Sequence, residues 1–325
     1  MVHVKLSLLD RSRTREGRPD AEALEATVAR SEHAEQVGYE RFWVAEHHGV
    51  PGIGSGAPAV LLAAIGARTS RIRIGSGGVM LPLHQPIVVA EQFLVLDALH
   101  PGRVDLGLGR SLGFTPPVRR ALRRDRDAAI AFEDDVVELR AYLEGSAEVT
   151  ARPASRRPVP MSVLATGSGI EAAARLGLPV VVGGPVLDSA ELPNALSDYR
   201  RRFRPHRGSS PWVTISLDVA LADDDATARE LALPEAWAMA KARRDGEFPP
   251  LQTVAAINST SWPAQVQRRV EASLTRAVAG SAATVRRRLD RLVERTGADE
   301  LLSSTSTYDF DALLASDRML RDLIR

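Results

Sequence analysis

Eight short apolar runs, separated by longer amphipathic segments, recur from one end of this chain to the other. They are Val4–Leu9, Arg41–Ala45, Ile72–Ser76, Val104–Leu108, Pro160–Leu164, Val180–Val182, Val213–Val219 and Glu300–Ser303. Runs of this length, bounded by turn residues, read as buried strands. Helical spacing lies between them: Val89, Phe93 and Leu96 fall at i, i+4 and i+7, with Pro86 suited to a first turn. Val285, Leu289, Leu292 and Val293 repeat the pattern, and Gly297 is placed to cap that helix. Helix, glycine and strand follow one another again at Gly38 and Gly177. Such alternation implies parallel strands, because a parallel pair needs a crossover and a helix provides it. Eight units predict an α/β fold, a closed (β/α)8 TIM barrel in preference to an open doubly wound sheet.

At about 150 residues per domain the length of 325 suggests two domains, but a barrel takes this length as one, residues 1–325. Two stretches fit the alternation poorly. Gly113–Asp127 is rich in Pro and Arg, and Leu233–Ala277 (residues 233–277) reads as a partly helical insertion between the seventh and eighth strands.

Composition narrows the function. With 42 Lys+Arg against 41 Asp+Glu, the net charge of +1 argues against a general binder of nucleic acid or of membrane surfaces. The absence of cysteine excludes disulfides, thiolate metal sites and cysteine nucleophiles. All but two of the 42 basic residues are arginine, Lys5 and Lys241 being the exceptions, which reads as the imprint of a GC-rich coding sequence. No targeting segment is evident at Met1–Asp10, and the uncharged stretch Ile53–Ala67 contains Gly, Ser and Pro and falls short of the roughly 20 apolar residues of a membrane span. A cytoplasmic protein is expected.

Chemistry-bearing residues cluster at the ends of the expected strands, where barrel active sites are built. The second strand ends in Glu46-His47-His48. Neighbouring strand residues point to opposite faces, so His47 and His48 cannot easily share one ion, and no metal is expected. Two readings stay open for them, polar caps of a strand end or a catalytic histidine. After the third strand, Gly75-Ser76-Gly77-Gly78 allows unusual backbone angles and the close approach of a flat ligand, or marks a plain bulge.

Gly109-Arg110-Ser111-Leu112-Gly113 matches the nucleophile elbow of hydrolases, but Gly113, Pro116 and Pro117 interrupt the helix an elbow needs, so Ser111 is not expected to attack. Arg110 suits an anion clamp instead. Thr166-Gly167-Ser168-Gly169-Ile170-Glu171-Ala172 meets the G-x-G-x-x-A dinucleotide form, with Asp188 downstream, yet four strands already precede it. The local physics survives: amides at a helix start, with the Thr166 and Ser168 hydroxyls, form a phosphate site. Arg110 joins it if the fourth and fifth strands are neighbours. Asp223-Asp224-Asp225 reads as a solvated helix start, and Trp212, Trp237 and Trp262 as core or lid residues.

Taken together, Leu6–Asp10, Gly38–His48, Arg71–Pro82, Ala90–Gln92, Leu96–Arg110, Ala165–Pro179, Gly280–Leu289 and Thr296–Glu300 resemble the bacterial luciferase-like flavin-dependent monooxygenases. The resemblance implies a barrel, usually dimeric, with flavin at its C-terminal mouth. His47 matches the family's active-site histidine. Gly77-Gly78 falls where a non-prolyl cis peptide lies beneath the flavin ring. Arg110, Thr166, Gly167 and Ser168 fall where the FMN phosphate is held. Two departures stand out, Ala165 for an acidic residue and Gly169 for a hydroxyl side chain. The activity implied is oxygenation of a small organic substrate by reduced FMN and dioxygen, with a separate flavin reductase, in a setting such as antibiotic biosynthesis. The alternatives are a deazaflavin-dependent hydride transferase of the same superfamily and a non-catalytic flavin-binding subunit.

Overall fold

The computed structural model of the chain describes residues 4–112, 115–123, 130–155, 157–245 and 247–325. Parts of the Pro- and Arg-rich stretch expected at Gly113–Asp127 therefore lie outside the described residues.

Its elements run β1 (Lys5–Asp10), α1 (Asp20–Val37), β2 (Arg41–Val44), α2 (Pro58–Arg68), β3 (Arg73–Met80), α3 (Pro86–Leu99), β4 (Val104–Gly109), α4 (Pro116–Ala121), α5 (Phe132–Glu144), β5 (Met161–Ala165), α6 (Gly169–Leu176), β6 (Val180–Gly183), α7 (Leu192–Arg202) and β7 (Val213–Leu217). After these come β8 (Val219–Leu221), α8 (Asp225–Asp245), α9 (Val254–Ser259), α10 (Ala264–Arg276), β9 (Val278–Gly280), α11 (Ala282–Thr296), β10 (Glu300–Ser303) and α12 (Phe310–Leu323). Eight of the strands close a barrel in the order β1-β10-β7-β6-β5-β4-β3-β2, and every pair is parallel. The chain is a (β/α)8 TIM barrel, as the alternation predicts.

The strands are apolar along their whole length because both faces are buried. One face packs under the helices, with Leu8, Phe42, Ile74, Leu106 and Ile215 each fully buried. The other faces the barrel interior, where Leu9, Trp43, Val181 and Leu302 form a separate apolar layer with Leu164 beside it. Trp43 explains part of the glycine run opposite it. It pairs in register with Gly75, where a Cβ would lie 2.6 Å from the indole Nε1, and a Cβ on Gly77 would lie 2.6 Å from Leu9. Large side chains on β1 and β2 thus leave room only for glycine on β3. Helices α6 and α11 end as expected in left-handed glycines, Gly177 at φ 65° and Gly297 at φ 60°.

The expected strand Val213–Val219 is two strands. β7 ends at Leu217, and β8 turns away to pair with β9 in a small parallel sheet beside the barrel. The break falls at Asp218, whose carboxylate accepts hydrogen bonds from Arg11 Nη2 at 3.3 Å and Ser304 Oγ at 2.8 Å. Next to it, the Val219 amide donates to Thr305 Oγ1 at 2.6 Å instead of continuing the ladder.

Between β8 and β9, helices α8, α9 and α10 enclose a second apolar core around Leu231, Trp237, Ile257, Val266, Val270 and Leu274. Trp237 and Trp262 meet there at 5.2 Å, while Trp212 donates to Glu300 at the barrel floor. Asp224 caps α8 through the amides of Ala226 and Thr227, both at 2.9 Å.

Candidate active site

Four consecutive barrel strands, β2 to β5, carry the expected site residues at or near their C-terminal ends. Past β2, the Glu46 side chain is wholly buried. Its Oε1 accepts hydrogen bonds from both His48 Nε2 and His84 Nε2, each at 2.7 Å, and its Oε2 accepts the Met80 amide at 3.0 Å. Burial pushes the Glu46 carboxyl up, but the two imidazoles and the Met80 amide outweigh it and hold the group at about 2. Glu46 is therefore ionised at neutral pH and can only accept, so both Nε2 atoms carry protons. The donor atoms of Glu46, His48 and His84 lie within 4.8 Å of one another, close enough for a metal ion, yet this convergence is already bridged by hydrogen bonds. Sequence reasoning missed Glu46 as the link and His84 as a member, since His84 lies 38 residues away in the chain.

His47 points differently. Its amide donates to the Ser55 carbonyl at 3.2 Å. Burial lowers its imidazole to about 4, and the charges of Arg11 and Arg13 add to that effect against Glu46. It is neutral at pH 7, the form that accepts a proton. Arg11 and Arg13 are held by Glu235 of α8, at 3.1 and 2.8 Å. Burial alone would raise the Glu235 carboxyl, but Arg13 and Arg11 bring it below the usual range.

On β3 the Gly77–Gly78 peptide is cis, and the register with β4 shifts between Ser76 and Val79. A Cβ on Gly78 would lie 2.7 Å from the Gly107 carbonyl oxygen. Strands β4 and β5 are neighbours, and Arg110 and Thr166 line one cavity of about 90 Å³ between them, with Glu133, Ala165 and Gly169. Gly167 (φ 71°) and Ser168 lead into α6 and are not among the lining residues; the Ser168 side chain makes no capping bond. The two departures noted in the sequence form a pair, because a Cβ on Gly169 would lie 2.9 Å from the Ala165 Cβ. Guanidinium, hydroxyl and helix-start amides make a donor set suited to a phosphate.

Two other motifs are placed elsewhere. Ser111 is exposed after β4 and no helix starts at it; α4 begins only at Pro116, capped by Thr115. Asp188 closes a short 3-10 turn after β6 and pairs with Arg276 at 2.9 Å.

Comparison with known proteins places the chain in a family. Residues 4–300 match the model of the luciferase-like monooxygenase family. A luciferase-like monooxygenase of Escherichia coli is 34% identical over 331 residues, covering 98% of this chain and 97% of its own. The crystal structure of apo-MsnO8 superposes with a TM-score of 0.88 at 33% identity, over 99% of this chain and 98% of that one. The oxygenating constituent of 3,6-diketocamphane monooxygenase of Pseudomonas putida, solved in complex with FMN, shares the fold at a TM-score of 0.76 and 17% identity, over 98% of this chain and 97% of that one. The chain belongs to the luciferase-like monooxygenase family.

Proposed function

We propose that this protein is an FMN-dependent monooxygenase of the two-component type, in which a separate reductase supplies reduced FMN. The observation that carries the reading is the convergence of Arg110 and Thr166, from adjacent strands, on one small cavity on the same side of the mouth as Gly77-Gly78 and His47. The donor set fits the cofactor's phosphate. Arg110 and Thr166 would hold it with the start of α6 at Gly169, Gly167 and Ser168 leading into that start from outside the lining, and Gly77 and Gly78, which bring backbone and no side chain to the mouth, would face its ring. When bound, reduced FMN supplies the activation of dioxygen.

The chain's own residues bind, orient and manage protons. His47, neutral at working pH, would take a proton from the substrate or from a water at an imidazole nitrogen and give it back before the cycle closes, so that the ring ends neutral as it began. Glu46 fixes His48 and His84 beside it. The barrel interior, filled by Leu9, Trp43, Val181 and Leu302, excludes water from below. The whole chain acts as one barrel, with residues 233–277 inserted beside the mouth. It works as a homodimer through an apolar face on α2 and α3, where Val60 is 72% and Leu99 62% exposed alongside Val88 and Val95.

The test is anaerobic titration with reduced FMN, followed by admission of dioxygen in the presence of candidate substrates. Binding followed by a transient absorbance band distinct from oxidised FMN supports the reading. No binding, or preference for a deazaflavin with no need of oxygen, overturns it. His47→Asn is expected to impair turnover far more than FMN binding; equal losses of both would reduce His47 to a structural part.

A further inference from the structure

A larger cavity of about 520 Å³ opens at the opposite arc of the mouth. Its floor comes from residues at the ends of four barrel strands: Gly184 after β6, Ser216 on β7, Ser304 after β10 and Arg11 after β1. Helices α8, α10 and α11 wall it. Leu187, Leu217 and Met239 make part of the lining apolar.

The charge of that lining is one-sided. Its two carboxylates are already paired, Asp188 with Arg276 at 2.9 Å and Asp218 with Arg11 at 3.3 Å. Four further arginines line the same cavity: Arg243, Arg288, Arg291 and Arg295. Arg288 donates to the carbonyls of Ala277 and Thr275, both at 2.8 Å, Arg291 to that of Arg287 at 3.2 Å, and Arg295 to that of Leu187. Among the described residues none of the four has a carboxylate within ion-pair distance. Like charges gathered round one hollow without counter-ions repel one another, and an anion placed among them relieves that repulsion. Arginine also retains unused N–H donors after one carbonyl bond, in the fork that matches a carboxylate.

We propose that this cavity binds the substrate, and that the substrate is an organic acid whose carboxylate is held by Arg243, Arg288, Arg291 and Arg295 while its apolar body extends toward the mouth. The proposal rests on the oxygenase reading for the identity of the ligand as substrate. The cavity is set apart from the phosphate donors, since Arg110 and Thr166 occupy the β4–β5 side. It is joined to His47 through Arg11, which lines the cavity and whose charge acts on the imidazole.

The experiment measures equilibrium binding of dansylglycine and of its uncharged amide to the full-length protein by dansyl fluorescence. The acid is expected to bind about tenfold more tightly than the amide at low salt, and its affinity alone to fall as sodium chloride rises. The double variant Arg243→Gln/Arg291→Gln, at two exposed positions, is expected to reduce that preference below about threefold and leave the amide unchanged. Equal affinities for the two probes, absence of binding by either, or a preference that survives the double variant overturns the proposal. If the variant does not fold, the salt dependence in the unaltered protein decides alone. FMN titration is a separate readout. A protein that binds reduced FMN but shows no acid preference refutes this inference only, while acid preference without FMN binding refutes the oxygenase reading, and with it the ligand's role as substrate, but upholds the cavity as an organic-acid site.

Discussion

Arg30 and Asp317 form a two-point ion pair, Nε to Oδ2 at 2.8 Å and Nη2 to Oδ1 at 2.9 Å, with the arginine side chain wholly buried. The remaining donor, Nη1, reaches Asp10 Oδ2 at 2.9 Å and the Thr305 carbonyl at 3.0 Å. One guanidinium thus ties α1 to α12, to the end of β1 and to the segment after β10, across the seam where the barrel closes. Arg30→Met leaves two buried carboxylates without their cation and is expected to cost about 3–5 kcal/mol in urea unfolding. Adding Asp317→Leu should recover part of that loss. A single variant within about 1 kcal/mol of the parent would show that the pair contributes little.

Stability is expected to fall on acidification in two stages. His47 titrates at about 4 in the folded protein against an ordinary 6.5, so the unfolded chain takes up its proton first as pH falls. Its contribution is complete above 6.5 and lost between 6.5 and about 4, on the order of 3 kcal/mol in all. Glu46, at about 2 against an ordinary 4.5, adds a loss below 4.5. Unfolding free energy measured against pH should decline through the upper window in the parent and decline less steeply there in His47→Asn, where His33 and His100, also lowered by burial, still contribute. An unchanged profile in the variant would mean that the imidazole is not held neutral by the fold.

Arg110→Met is expected to weaken FMN binding by roughly 10- to 100-fold, the worth of a charged hydrogen bond to phosphate, and Thr166→Val by under about tenfold. Riboflavin, which lacks the phosphate, should bind both variants as it binds the parent. Flavin fluorescence titration separates these outcomes. A parallel loss for riboflavin would place Arg110 elsewhere than at the phosphate.

The apolar face of α2 and α3 provides an independent check. Val60→Glu and Leu99→Glu put charge on a stripe that a second copy would cover, and both positions are already exposed in the monomer. Sedimentation should show a dimer for the parent and a monomer for the double variant, with unfolding of the monomer otherwise little changed. A monomeric parent would contradict the homodimer.

Arg110 and Thr166 were legible in the sequence because each is announced locally, by a cation after one strand and by a glycine-rich helix start after the next. Their meeting rests on the adjacency of β4 and β5, which strand alternation alone makes plausible and barrel closure makes fact. His84 gave no such signal. Its role exists only because β2 and β3 lie side by side and bring it onto Glu46. The end of β7 escapes the sequence for a similar reason: the apolar run continues through Val219, and it is Ser304 and Thr305, past the neighbouring β10, and Arg11, past the next strand β1, that interrupt the ladder at Asp218.

The periodic alternation of apolar runs and amphipathic segments by itself determined a parallel barrel with chemistry at its C-terminal mouth, because periodicity and crossover geometry act over a few tens of residues. Tertiary structure alone decided which side chains converge. Glu235 reaches Arg13 across 222 positions, and Arg30 reaches Asp317 across 287. The arginine excess is the clearest case. In the sequence it carries no more information than a coding bias, and in the fold four of those residues line one cavity with no carboxylate paired to them among the described residues. Charge acts through space, over distances that closure of the chain sets and that sequence separation does not.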